Sequence, residues 1–226
     1  ANSIEEMAEE ARRLGLEYIA ITDHTKSLAM TGGADEKKLL RQMAAIDKLN
    51  RSLTGVTVLK GAEVNIDKDG ALDIRDEVLA RLDVVGIAVH SHFDLPRREM
   101  TRRIVKAMSN PHADILFHPT GRIIQKREPY EVDIDEIIRV AKQTGTVLEI
   151  DAYPDRLDLK DEHVRKAVQA GVKLAIDSDA HSVNHMRLLE FGVAQARRGW
   201  AEKSSVINTK PLAEFKKYLK HSRSSP

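Results

Sequence analysis

The chain has 226 residues, enough for one sizeable domain or two small ones, and its 42% hydrophobic and 31% charged content fits a soluble globular protein with a full core. Lys and Arg (36) nearly balance Asp and Glu (35), so there is no overall electrostatic case for nucleic acid, although a local basic patch stays open. The absence of cysteine excludes a disulfide framework and thiolate metal sites, so any metal must be held by His, Asp and Glu.

Ser3-Ile4-Glu5-Glu6 is a capping-box pattern that opens a helix to about Leu14, stopped by Gly15. Glu17 to Ile21 reads as a short strand ending in Thr22-Asp23-His24-Thr25. A loop containing Thr31-Gly32-Gly33 leads to a helix from about Asp35 to Ser52, with Leu39, Leu40, Met43, Ile46 and Leu49 on one face. Val56 to Ala62 is a strand ending in Glu63, and Asp67-Lys68-Asp69-Gly70 is a turn. A short helix near Asp76 to Leu82 precedes a strand, Asp83 to Val89, that ends in His90-Ser91-His92. Arg97 to Met108 is helical until Asn110-Pro111 breaks it. Ala113 to Phe117 is a strand ending in His118-Pro119-Thr120-Gly121-Arg122. Asp135 to Thr144 is a helix closed by Gly145, and Thr146 to Ile150 a strand carrying Glu149 and Asp151. A helix from Lys160 to Ala170, closed by Gly171, precedes the strand 172–176, which runs into Asp177-Ser178-Asp179-Ala180-His181. Asn184 to Arg197 and Leu212 to Leu219 are helical, and 222–226 reads as a frayed tail.

Strand and helix alternate throughout, which predicts a parallel sheet with helical crossovers. Runs such as Val84-Val85-Gly86-Ile87-Ala88-Val89 are apolar on both faces, as in buried parallel sheets. No linker or low-complexity segment divides the chain, so residues 1–221 are expected to form a single domain. No run approaches the roughly 18 apolar residues of a membrane span, and no leader is visible at the start; with no cysteine, this is read as cytoplasmic.

The C-terminal ends of the six strands carry His24; Glu63; His90 and His92; His118; Glu149 and Asp151; Asp179 and His181. In a closed or nearly closed parallel barrel those ends converge on one face, where such barrels place their chemistry. Imidazoles and carboxylates gathered there describe a metal cluster rather than a packing solution. No phosphate-binding glycine loop, Gly-x-Ser-x-Gly elbow or cysteine nucleophile is present. Metal-assisted hydrolysis of a phosphoester remains.

Thr22-Asp23-His24, Gly61-Ala62-Glu63, Val89-His90-Ser91, Phe117-His118-Pro119 and Ser178-Asp179-Ala180-His181 together resemble the PHP (polymerase and histidinol phosphatase) superfamily, in order and over essentially the whole chain. The segments 21–28, 118–122, 127–133, 148–159 and 196–200 are similar to the C-terminal PHP domain of bacterial and archaeal family X DNA polymerases. The resemblance implies an α/β fold, a distorted (β/α)7 TIM-like barrel of the PHP type, holding up to three divalent ions: Mn²⁺ for activity, with Zn²⁺ or Fe as alternatives. It implies a 3′–5′ exonuclease or DNA-end-processing phosphoesterase using metal-activated water, acting on single-stranded or gapped DNA ends and joined to an N-terminal polymerase domain. Matched residue by residue, Glu63, His90 and His118 hold one ion, Glu63 bridges to a second bound by Asp179, and His24 and His181 hold a third; Glu63, His118 and Asp179 are the catalytic set. The family's first strand, with its His-x-His, does not occur in this chain, so weak or absent catalysis by it alone is expected. A histidinol-phosphatase-like enzyme and a non-catalytic interaction domain are the alternatives.

Other residues leave choices open. Arg122 either clamps a substrate phosphate or pairs with a neighbouring acid, and Lys26 either meets a phosphate or is solvated. Glu149 and Asp151 are read as orienting the histidines and His92 as a rim residue or extra ligand. Arg97-Arg98, Arg102-Arg103 and Arg197-Arg198 form either a DNA-facing rim or solvated helix faces. His112, His163, His185 and His221 are read as surface residues.

Overall fold

The computed structural model describes residues 2–27 and 32–220. His221 and the tail therefore lie outside the described residues, as does Thr31 of the glycine loop. Strand and helix alternate as the periodicity predicts: α1 (Ile4–Arg13), β1 (Tyr18–Ile21), α2 (Glu36–Asn50), β2 (Thr57–Asn65), α3 (Asp76–Leu79), β3 (Val84–Ala88), α4 (Arg97–Met108), β4 (Ile115–Leu116), α5 (Ile134–Thr144), β5 (Val147–Asp151), α6 (Asp161–Ala170), β6 (Leu174–Asp177), α7 (Leu189–Arg198) and α8 (Leu212–Lys216). The six strands pair in parallel and in chain order, and the sheet curls into a half-barrel.

Local chemistry accounts for the boundaries. Ser3 and Glu6 form the reciprocal capping box of α1. Asp35 and Asp133 cap α2 and α5 by accepting from Lys38 and Glu136 backbone N–H groups. Gly145 and Gly171 end α5 and α6 with φ of 73° each, a left-handed conformation that suits glycine.

The period-two alternation of the strands divides the core. Leu59, Val84, Ile115, Phe117, Val147 and Ala175 pack together on the concave face. Val64, Val85, Ile87, Leu116, Leu148, Ile150 and Ile176 face outward beneath the helices. Register aligns Glu63 with Gly86 and Glu149 with Ala175, so both carboxylates share the concave face with that inner layer. The C-terminal segment plugs the other end: Phe215 and Leu219 join the inner cluster, and Tyr18 lies 4.9 Å from the Phe215 ring. The outer edge of β6 is covered too. The Asn208 amide accepts from Ile176 N at 3.0 Å and donates to Ile176 O at 2.7 Å, as a neighbouring strand would.

Three expectations change. The strand expected at 113–117 shortens to Ile115–Leu116, because the Asp114 carboxylate takes the Val85 N–H (2.9 Å) and the Lys220 N–H (2.7 Å) at its start. The helix expected from Asn184 begins as a 3₁₀ turn, Val183–Leu188, before α7. Arg103 is not part of a solvated or DNA-facing rim. Its guanidinium is buried and donates to the carbonyls of Asp67, Ser91 and Ile66, anchoring α4 to the loops after β2 and β3. Among the described residues no helix is long and apolar enough to cross a membrane.

Gly86 sits where the Phe117 ring lies against β3, and a Cβ there would overlap the ring. Gly86→Val is expected to destabilise the fold by about 1–3 kcal/mol through overpacking, read as a lowered urea midpoint at unchanged slope.

Candidate metal centre

Glu63 is the second residue after Gly61 on the concave face of β2, and only 6% of it is exposed. A carboxylate buried to that degree needs compensation. It receives three imidazoles from three other strand ends. His90 Nε2 lies 2.9 Å and His118 Nε2 2.8 Å from Glu63 Oε1, and His24 Nδ1 lies 3.3 Å from Oε2. The His24 and His90 rings meet edge to face at 4.9 Å, and those of His90 and His118 at 5.3 Å. Burial alone pushes the Glu63 carboxyl up, but the hydrogen bonds and charges of His118 and His90 hold it well below the usual range. Burial pushes His90 down; for His118, burial is outweighed by Glu63 and the imidazole is raised.

The donor set fits a divalent cation. Ligand atoms of His24, Glu63 and His90 all lie within 4.8 Å of one another. The Nδ1 atoms of His24 and His118 are buried and complete no hydrogen bond among the described residues. Mixed imidazole and carboxylate donors without thiolate suit Mn, Fe or Zn.

A buried network behind the site fixes His90. Asn65, two residues beyond Glu63, places its Oδ1 2.5 Å from His90 Nδ1. The Asn65 Nδ2 donates to Asp73 Oδ2 (3.0 Å) and to Thr25 O (3.2 Å), which turns its oxygen toward His90. His90 Nδ1 therefore donates to Asn65, and Nε2, which hydrogen-bonds Glu63, is the nitrogen that would turn its lone pair to a bound cation. The Thr25 hydroxyl donates to Asp73 Oδ1 at 2.6 Å and closes the network. Asn65, Asp73 and Thr25 were not singled out from sequence; the one signal was that Asn65 follows Glu63 at strand spacing.

On the opposite side, Glu149 accepts the His118 backbone N–H. Burial, with Asp151 and Asp177 beside it, raises the Glu149 carboxyl well above its ordinary range. Burial and the charge of Asp179 push Asp151 and Asp177 up to about 7. Arg156 bridges this acidic group, its Nε 3.3 Å from Asp151 Oδ2 and 3.7 Å from Asp179 Oδ2. His118 and Asp179 have φ of 29° and 45°, a left-handed backbone uncommon for such residues and often found at functional positions.

The remaining candidates separate. Asp179 and His181 lie beside one another, with Asp179 Oδ1 3.7 Å from His181 Nδ1. The His181 side chain is 62% exposed, and His24 lies in one group with Glu63 and His90. Arg122 is drawn back onto the chain, donating to the carbonyls of Arg156 and Leu157. Lys26 pairs with Glu36 at 2.9 Å. His92 is exposed, with φ of 53°. His185 and His163 are half-buried rather than surface residues; His185 accepts the His181 N–H and packs 5.3 Å from the Tyr153 ring.

Residues 1–153 match the PHP domain family. The chain is 43% identical over 220 residues to the DNA polymerase/3′-5′ exonuclease PolX of Bacillus subtilis (strain 168), covering 97% of this chain and 39% of that protein. It is 31% identical over 232 residues to a probable phosphatase of Thermoanaerobacter sp. (strain X514), covering 98% of this chain and 89% of the relative. Among solved structures, histidinol phosphate phosphatase of Lactococcus lactis, complexed with zinc, L-histidinol and phosphate, shares the fold with a TM-score of 0.61 at 13% identity over 89% of each chain. The half-barrel, the histidines around Glu63 and these matches agree, and the chain belongs to the PHP domain family.

Proposed function

We propose that this chain is a metal-dependent phosphoesterase that processes the ends of DNA strands. The observation that carries the hydrolytic reading is the convergence of His24, His90 and His118 on the buried Glu63 carboxylate. These four residues are the ligand set for the main ion site, and Asp179 with His181 is the ligand pair nearer the rim. Divalent ions bound there supply Lewis acidity, lowering the pKa of water and neutralising charge on phosphate oxygens. The chain's own residues do the positioning. Asn65 holds the His90 tautomer, the Glu149 carboxyl fixes the His118 backbone, and Arg156 tethers Asp179. What favours DNA is the 43% identity over 97% of the chain to PolX, of which this chain spans 39%. The probable phosphatases among its relatives support the second reading, a small-molecule phosphatase.

The deciding experiment is hydrolysis of 5′-labelled and 3′-labelled single-stranded oligonucleotides with Mn²⁺ and with chelator. Slow Mn²⁺-dependent shortening from the 3′ end is the expected result. Hydrolysis of p-nitrophenyl phosphate alone moves the reading to small phosphoesters, and metal binding without either reaction fits an interaction domain.

Two substitutions test the ligand assignment. Glu63→Gln is expected to lower bound metal per chain by at least one equivalent, measured by elemental analysis; unchanged stoichiometry sinks the assignment. Asn65→Leu removes the acceptor that orients His90 and is expected to weaken metal affinity by about 10–100-fold. Asn65→Asp keeps an acceptor for His90 but loses the donor to Asp73 and Thr25, so only a partial recovery is expected in the same titration.

A further inference from the structure

Asp73 sits in the connection between β2 and α3, and only 6% of it is exposed. The chain after β2 folds back to put it there: Ile66 bridges Leu72 in antiparallel fashion, and the Asp73 N–H donates to Asn65 O at 3.2 Å. Its carboxylate oxygens receive four hydrogen bonds. Oδ1 accepts from the Thr25 hydroxyl (2.6 Å) and the Asn65 N–H (3.2 Å), and Oδ2 accepts from the Ser27 N–H (2.9 Å) and the Asn65 Nδ2 (3.0 Å). With donors at both oxygens the group acts purely as an acceptor, the behaviour of a carboxylate. Among the described residues these bonds, and not an ion pair, hold it. A buried anion without a cation is costly, and a turn needs no such group.

The donors lie on the segments that carry the metal ligands. Thr25 follows His24; its backbone N–H goes to Glu63 O (3.2 Å) and its carbonyl accepts from Asn65 Nδ2 (3.2 Å). Asn65 stands two residues beyond Glu63 and places Oδ1 2.5 Å from His90 Nδ1. His24, Glu63 and His90 are the residues whose ligand atoms lie within 4.8 Å of one another. Asp73 therefore reaches the segments of His24 and Glu63 directly and His90 through one amide. Two of its donors come from 46 and 48 residues away, so it joins distant chain segments rather than closing a local turn.

We propose, on the metal-centre reading above, that Asp73 is a shared positioning residue: one carboxylate sets both His24 and His90, the imidazoles on either side of Glu63. On the His24 side it acts through shape, fixing the residue after the ligand. On the His90 side it acts through charge as well. Its negative charge polarises the Asn65 amide, whose oxygen then binds the His90 Nδ1–H more strongly and makes Nε2 a better donor to a cation. Asp73 itself touches neither the cation nor the substrate.

The test is titration of the metal-free chain with Mn²⁺, with free Mn²⁺ read by electron paramagnetic resonance well below the melting temperature. Asp73→Asn keeps the size and removes the charge. It is expected to weaken Mn²⁺ binding by about 10–100-fold. It is also expected to shift the ¹⁵N resonances of the His90 ring in the metal-free chain, assigned by their loss in His90→Gln. Thr25→Val removes the hydroxyl and leaves the carboxylate in place; about tenfold weaker binding is expected from the His24 side alone. Circular dichroism melts check that each variant is folded, and if Asp73→Asn is not, Thr25→Val decides. A lowered melting temperature with Mn²⁺ affinity and His90 resonances unchanged makes Asp73 a structural residue only and overturns the proposal, leaving the metal centre standing. Unchanged affinity in Thr25→Val overturns the shared role. A parent chain that binds no Mn²⁺ overturns the proposal together with the metal-centre reading.

Discussion

The burial of Glu63 is the constraint on which the site depends. A carboxylate at the end of a central strand, nearly out of reach of water, is destabilising by several kcal/mol unless positive charge or donors meet it. The fold meets it with imidazoles from the ends of β1, β3 and β4, and each imidazole then needs support of its own. His90 is held by Asn65, and Asn65 by Asp73 and Thr25; the backbone of His118 is held by Glu149. The polar network thus spreads outward from one residue until its members reach backbone groups. Breaking it near the centre leaves buried donors and acceptors unpaired, each worth about 1–3 kcal/mol.

The barrel layers explain why those residues can meet. Alternation along each strand sends every second side chain to the concave face, and parallel register places the strands side by side. On the concave face the apolar residues sealed by Phe215 and Leu219 come first along the strands, and register then sets Gly86 beside Glu63 and Ala175 beside Glu149. The glycine admits the Phe117 ring. Burial raises Glu149 and Asp151 and makes Glu63 dependent on its histidines.

Much of this was legible in the sequence because it is local. A strand running into Thr22-Asp23-His24 or Phe117-His118-Pro119 is visible without the fold, and the α/β alternation says that such ends gather on one face. Helix boundaries set by Ser3, Asp35, Gly145 and Gly171 are equally local. What sequence does not display are partners chosen by three-dimensional closure. Asp73 meets Thr25 and Asn65 across 48 and 8 residues. Arg103 reads as one more charge on a helix until its carbonyl partners are seen. The grouping of His24 with Glu63 and His90 depends on where β1 sits beside β2, which no spacing rule supplies.

Arg156 shows how the two halves of the site are joined. The acids at the ends of β5 and β6 face one another because Asp151 and Asp177 are in register, and two such carboxylates repel. Burial raises both toward neutrality, but Asp179, one step beyond, adds a further charge to the same group. A single guanidinium placed between Asp151 and Asp179 relieves part of that repulsion and ties the segment after β6 to the end of β5. The Arg122 guanidinium in turn holds the backbone of the loop that carries Arg156. The arginine after His118 thus acts through the chain as well as through its charge, coupling the end of β4 to the end of β6. A cation bound between these acids would take over part of the neutralisation, leaving Arg156 less constrained to pair with both.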